Sequence, residues 1–222
     1  IDGEPSIDVW AMDVARFGNY ASPQYGTIKS SENYERRFIM TFPNETLPKG
    51  RKQKTTALYD RFISKGAVMG DSFGLESVLW FANDPKDAYE EPTIKRSRSH
   101  DYVSKEVKNV RENVGVTEIA NFSKHEFQGP DARKFLDYVL AGRIPKPGRI
   151  CLNPMLTPKG KLYGDLTVAC LNDNKFIVFG SGAVQEMHRR WFESHLKNFN
   201  VVYKNRSDDF HGLALSGPKS RD

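Results

Sequence analysis

Residues able to do chemistry are sparse in this chain, and one stands where its type is unusual. Asp165 lies in Leu162-Tyr163-Gly164-Asp165-Leu166-Thr167-Val168, just after Pro158-Lys159-Gly160-Lys161. Apolar and alternating residues flank that Pro/Gly segment, starting from Gly148-Arg149-Ile150-Cys151-Leu152, and predict a β-hairpin whose glycine supplies a positive φ. Aspartate is depleted in strand interiors, so Asp165 needs a reason to be there. Either it is a turn-proximal carboxylate bonding nearby backbone N–H groups, or it is held on a rigid strand facing a cavity, where it binds or polarises an amine-bearing ligand.

Other chemical signals are weaker. Gly180-Ser181-Gly182 precedes a helical pattern; such a triplet either presents backbone N–H groups to an anion or makes a tight strand-to-helix turn. Cys151 and Cys170 fall in strand patterns with no CxxC spacing, and His100, His125, His188, His195 and His211 share no HxxxH or HExxH spacing. Two buried thiols in a reducing cytoplasm are therefore expected, and no metal site. GxGxxG and GxxxxGK[ST] are absent. The net charge of +5 comes partly from Lys49-Gly50-Arg51-Lys52-Gln53-Lys54 and Lys95-Arg96-Ser97-Arg98. Neither cluster has interleaved aromatics or a recognition helix, so solvated loop charge or a small polyanion fits better than nucleic acid.

The elements that must position these residues belong to an α+β chain. Composition is that of a globular protein, and no apolar run approaches the roughly 20 residues that cross a bilayer. Asp2 and Glu4 stand where a signal peptide would be basic and apolar, so the expected location is cytoplasmic. The start at Ile1 and the stop after Leu213-Ala214-Leu215-Ser216-Gly217-Pro218, a strand running into a new helix, both read as cuts. Turn signals fall at Phe17-Gly18-Asn19, Pro43-Asn44 and Gly70-Asp71, and short helices are expected over 32–39 and 57–65. Residues 83–99 are charged and proline-broken, and read as a linker between 1–82 and 100–222. Val103, Val107, Val110 and Val114 recur at helical spacing and predict a core-facing helix capped by Ser99 or Asp101. Lys124 to Gln128 alternates like a strand. A helix starting at Gly129-Pro130-Asp131 then turns Phe135, Leu136, Val139 and Leu140 inward and ends at Gly142. Strands over 149–156, 162–171 and 175–180, then a helix over 183–197, make an α+β sheet domain rather than a doubly wound one.

Three segments carry a resemblance. They are Tyr102-Val103 to Glu106-Val107 with Val110-Arg111 and Val114-Gly115, then Gly129-Pro130-Asp131-Ala132 with Phe135-Leu136, then Gly148-Arg149 through Asp165-Leu166-Thr167-Val168. Together they resemble the folate-binding aminomethyltransferase domain shared by the glycine-cleavage T-protein and the C-terminal half of dimethylglycine and sarcosine dehydrogenases. Leu58-Tyr59-Asp60-Arg61, Gly66-Ala67-Val68-Met69-Gly70 and Trp80-Phe81 resemble the segment that closes the FAD oxidoreductase half of those dehydrogenases. The family's Gly-Trp-Glu-Arg-Pro before the Trp-Phe pair is here Gly74-Leu75-Glu76-Ser77-Val78.

The resemblance implies a piece of a flavin- and tetrahydrofolate-dependent N-demethylating dehydrogenase, with the FAD-binding motif outside this chain. Its partners would be a small N-methyl amine, folate and the remainder of both domains. The piece alone would oxidise nothing. Asp165 would anchor tetrahydrofolate near its reactive nitrogens as the catalytic carboxylate. Leu152 would give the pterin apolar contact and Thr167 would shape the pocket wall. Ser181, where the T-protein's pocket asparagine is replaced, would be a further cofactor-binding position. Two other functions sit on the same scaffold, a noncatalytic regulatory homologue and a flavin-independent folate methyltransferase or demethylase.

Overall fold

Alternation and turn chemistry near Pro158-Gly160 become a hairpin in the computed structural model, which describes residues 7, 9–43 and 45–222. In chain order its elements are α1 (Pro23–Glu35), α2 (Tyr59–Ser64), β1 (Ala67–Ser72), β2 (Leu75–Phe81), α3 (Ser99–Glu112), β3 (Gly115–Glu118) and β4 (Phe122–Gln128). There follow α4 (Ala132–Val139), β5 (Ile150–Leu156), β6 (Leu162–Asn172), β7 (Lys175–Ser181), α5 (Gln185–His195), β8 (Val202–Asn205) and β9 (Leu213–Ser216). Two compact units result, one of residues 1–18 and 121–210, the other of 19–120 and 211–222.

The first unit holds an antiparallel sheet in the order β5-β6-β7-β4-β8. Gly160, with φ +73°, closes the β5–β6 turn, where the Gly160 and Thr157 amides donate to the Thr157 and Lys161 carbonyls at 2.8 Å each. One face of the sheet is apolar. Phe127, Met155, Leu166, Val168, Phe176 and Val178 are fully buried there against Ala132, Phe135 and Leu136 of α4 and Phe192 of α5. Those α4 residues fall at i, i+3 and i+4, which gives the helix a single apolar stripe to bury. Phe127 meets Phe192 edge-on at 5.0 Å and Phe135 at 5.3 Å.

Two histidines lie inside this core. His125 and His188 are both buried, with His125 Nδ1 2.8 Å from the Tyr203 hydroxyl and His188 Nε2 3.3 Å from the Tyr163 carbonyl. Burial disfavours the imidazolium of each. It lowers the pKa of His125 to about 3, with repulsion from His188 adding to the effect. It also lowers that of His188, against the opposing bond to Tyr163.

The second unit has less core. The β1–β2 hairpin buries Val68, Trp80 and Ala82 beneath Tyr102 and Val103 of α3, with the Trp80 and Tyr102 rings 4.8 Å apart. β3 pairs antiparallel with β9. Glu76, 2% exposed, is gripped by Arg51, whose Nε donates to Oε1 at 3.0 Å and whose second nitrogen donates to Oε2 at 2.5 Å and to the Met69 carbonyl at 3.0 Å.

Several expectations are corrected in this unit. Gly70-Asp71 lies within β1, and the turn falls at Phe73-Gly74. The helix expected over 32–39 is the end of α1, which starts at Pro23 because Ser22 Oγ accepts the Tyr25 amide at 3.2 Å. The valine stripe of α3 is not core: no residue of that helix is fully buried and Val107 is largely exposed, because only its Tyr102–Val103 end meets the Trp80 cluster. Neither Ser99 nor Asp101 caps it. Residues 217–221 form bends and turns rather than a new helix. The turn read at Pro43-Asn44 falls partly on Asn44, which lies outside the described residues, as do Asp2 and Glu4.

Two outcomes follow. Arg51→Met strands a buried carboxylate and is expected to destabilise the fold by about 3 kcal/mol, measured as a lower urea midpoint at unchanged slope. For the histidines, full stability is present above the unfolded value of 6.5. As pH falls below it, the unfolded chain binds protons that the folded imidazoles refuse, so stability falls towards the depressed folded values. His125→Phe is expected to flatten the decline in melting temperature between about pH 6.5 and 5, whatever it does to the baseline.

Candidate functional site

The face of the sheet turned away from α4 and α5 carries all four residues singled out in the sequence. Successive side chains alternate across a strand, so burying Leu166, Val168 and Gly180 on one side puts Asp165, Thr167 and Ser181 on the other. Leu152 of β5 is the direct partner of Thr167 of β6, and Thr167 is the partner of Phe179 of β7. Asp165, one position further along the same face and about 6.8 Å from Thr167, is opposite Pro154. Leu152 is 68% exposed and Thr167 half-buried. This is an apolar ledge beside a carboxylate.

Asp165 is exposed, and among the described residues no hydrogen bond or ion pair engages its carboxylate. The β5–β6 turn closes through Thr157, Gly160 and Lys161 instead, so the reading in which Asp165 braces that turn finds no bond to support it. Ser181 has a local task. Its Oγ accepts the Ala183 amide at 3.3 Å and caps a single 3₁₀ turn, Gly182–Val184, leading to α5. A Cβ on Gly182 would lie 2.1 Å from the Asn121 carbonyl oxygen, so close backbone approach is reason enough for that glycine.

Sequence reasoning passed over two charges on this same face. Lys124, opposite Phe179 on β4, is 3% exposed and donates from Nζ to the Phe122 and Ser207 carbonyls at 2.7 and 3.2 Å. Glu126, 6% exposed, pairs with Lys175 at 3.1 Å and lies 3.8 Å from Arg206. Leu152, Thr167, Phe179 and Lys124 thus form one row across four strands. The signal was available, since Lys124 and Glu126 alternate with Ser123, His125 and Phe127. Such a face can seat a flat, partly apolar ring system and offer a carboxylate to its N–H groups.

Three charges of the basic clusters are paired. Arg51 is occupied by Glu76, Lys49 Nζ reaches Glu35 at 2.5 Å, and Arg98 bonds Asp87 at 2.7 Å and the Tyr89 hydroxyl at 2.5 Å. Cys170 is buried and Cys151 half-buried, both as free thiols. Among the described residues, no three His, Cys, Asp or Glu side chains are grouped to hold a metal ion, and no helix is long and apolar enough to cross a membrane.

The sequence matches the GCVT N-terminal domain family over residues 58–222 and the FAD dependent oxidoreductase central domain over residues 2–56. Human mitochondrial dimethylglycine dehydrogenase is 33% identical over 100% of this chain and 26% of its own length. The mouse mitochondrial pyruvate dehydrogenase phosphatase regulatory subunit is 28% identical over 99% of this chain and 26% of its own. The chain therefore spans about a quarter of the length of these relatives. Glycine cleavage system aminomethyltransferase T from Bartonella henselae shares the fold, with a TM-score of 0.59 at 21% identity over 75% of this chain and 41% of that one. Both sequence relatives are named as mitochondrial, which overturns the expectation of a cytoplasmic location. With a sheet of this topology and most of its length matched, the chain belongs to the GCVT N-terminal domain family, preceded by a segment of an FAD dependent oxidoreductase central domain.

Proposed function

We propose that this chain is the junction of a flavin- and tetrahydrofolate-dependent N-demethylating dehydrogenase of the dimethylglycine/sarcosine type, with the outer face of β5–β7 as its folate wall. An oxidoreductase segment followed by a GCVT segment, and 33% identity to a dimethylglycine dehydrogenase along the whole chain, support this reading. The observation that carries it is Asp165, a solvated carboxylate with no partner among the described residues, beside the exposed apolar surface of Leu152.

When bound, flavin supplies the oxidation of an N-methyl amine and reduced folate supplies the amine nitrogen that takes up the one-carbon unit. The 222 residues contain no dinucleotide glycine motif, so no flavin contact is assigned to them. The folate face does fit its group. Asp165 would accept hydrogen bonds from pterin N–H groups, and so would orient the nucleophilic nitrogen and stabilise positive charge beside it. Leu152 would pack on the ring, Thr167 would set the wall beside it, and Ser181 would mark the far edge on β7. A second reading, a noncatalytic regulatory protein on the same scaffold, is favoured by the 28% identity to the phosphatase regulatory subunit over nearly the whole chain.

Calorimetric titration of the full-length, flavin-loaded protein with a stable reduced folate separates the two. Asp165→Ala is expected to weaken binding at least tenfold, about 1.4 kcal/mol, while stability stays within about 0.5 kcal/mol, as for other exposed substitutions. Absence of binding by the folded wild type would remove the folate role and leave the regulatory reading.

A further inference from the structure

Residues 50–54 and the β1–β2 hairpin belong to different family matches, the first to the oxidoreductase segment of residues 2–56 and the second to the GCVT segment of residues 58–222. Within the second unit they form one piece of structure. Lys54 makes a parallel rung with Leu75 on the edge of β2, its amide donating to the Gly74 carbonyl at 2.9 Å and its carbonyl accepting the Glu76 amide at 3.0 Å. A two-stranded hairpin is marginal in water and gains from a third partner.

Side chains lock the same contact. Glu76 is 2% exposed, and among the described residues every donor to its carboxylate comes from the oxidoreductase segment: Arg51 through two nitrogens at 3.0 and 2.5 Å, and the Lys52 amide at 3.3 Å. Arg51 also donates to the Met69 carbonyl of β1 at 3.0 Å, so one guanidinium holds both strands of the hairpin. Lys52 has a left-handed backbone, φ +64°, a conformation that persists where the surroundings over-determine it. At the hairpin tip the Tyr20 ring lies against Gly74, 2.6 Å from where a Cβ would be. A joint between independent domains falls in exposed chain that few contacts cross. Here a carboxylate buried in one segment draws its donors from the other, and removing one member of a buried pair strands the remaining charge.

We propose that residues 50–54 are the interface that fastens the oxidoreductase half of the full-length protein to the start of its GCVT half, with Arg51 as the coupling residue and Glu76 as its receptor. The border between the two matches, at residues 56–58, is no hinge. The hairpin and the oxidoreductase segment open as one cooperative unit, and the hairpin is incomplete without Arg51. This rests on the family matches and on the geometry of the seam, so a failure of folate binding leaves it standing.

Hydrogen exchange of the full-length, flavin-loaded protein, followed by mass spectrometry in peptides spanning residues 50–56 and 67–81, tests the coupling. Arg51→Met is expected to speed exchange in the 67–81 peptide on the order of tenfold or more, and Glu76→Gln to do the same in the 50–56 peptide. A change confined in each variant to the segment that carries the substitution would overturn it. A second measurement cuts the folded protein at a protease recognition sequence inserted at the exposed Ala57. The two parts are expected to leave a sizing column together, and to separate when the cut is combined with Arg51→Met. Separation of the cut wild type, or cut Arg51→Met parts that stay joined, would sink the proposal.

Discussion

Everything offered on the outer face of β5–β7 depends on how firmly the inner face is held. Leu166, Val168 and Val178 are fully buried against α4 and α5, and the β6–β7 register follows from that burial. A one-residue slip of β6 would exchange the two faces, placing the Asp165 carboxylate in the apolar core and Leu166 in water. Burying an unpaired carboxylate costs several kcal/mol, on top of roughly 1.5–3 kcal/mol for an exposed leucine. The turn at Thr157–Lys161 pins the same register from its end. A carboxylate on this strand is therefore presented by constraints that do not involve it.

The parts of the fold legible in the sequence are those whose burial repeats with the period of the element. β5, β6, β7 and α4 lie within a few residues of their expected ends because their apolar positions recur every second or every third to fourth residue. α3 has the period without the burial, since only its Tyr102–Val103 end joins the Trp80 cluster and Val107 stays half-exposed. Gly70 misled for another reason. It serves close packing against Leu79, 2.8 Å from a Cβ built there, and not a turn. β8 owes its place to pairing with β4, some 75 residues earlier in the chain, which no local pattern records. For the candidate site, the common face of Leu152, Asp165, Thr167 and Ser181 follows from strand alternation alone. The buried state of Lys124 and Glu126 depends on residues 175–207 folding back on β4.

Asp165 differs from three buried acidic groups of these units, Glu76, Glu126 and Glu32. Glu76 is clasped by Arg51, and Glu126 is met by Lys175. Glu32, 2% exposed, accepts from Lys29 Nζ at 2.8 Å and the Lys49 amide at 2.7 Å. Desolvation raises the pKa of Glu32, but those donors outweigh it and leave the carboxyl below its ordinary value. In each case the fold removes water and supplies a cation or N–H in exchange. At Asp165 it does neither.

That difference limits what Asp165 can do alone. In bulk water a carboxylate and a cation 4 Å apart attract by about 1 kcal/mol, and by roughly 4 kcal/mol at the effective dielectric near 20 that suits a protein surface. A solvated aspartate therefore stabilises a developing positive charge only weakly. The stronger interaction requires water to be displaced from its flank, and on the proposed reading the surface that would displace it is a ligand seated on Leu152 and Thr167. Apolar contact on the ledge and electrostatic stabilisation at the carboxylate would then be one event: the first would set the dielectric in which the second acts. On the proposed folate reading, Leu152 and Thr167 would matter to the chemistry although neither reacts, and a rigid strand would suit the carboxylate better than a loop because a ring would have to meet ledge and charge together.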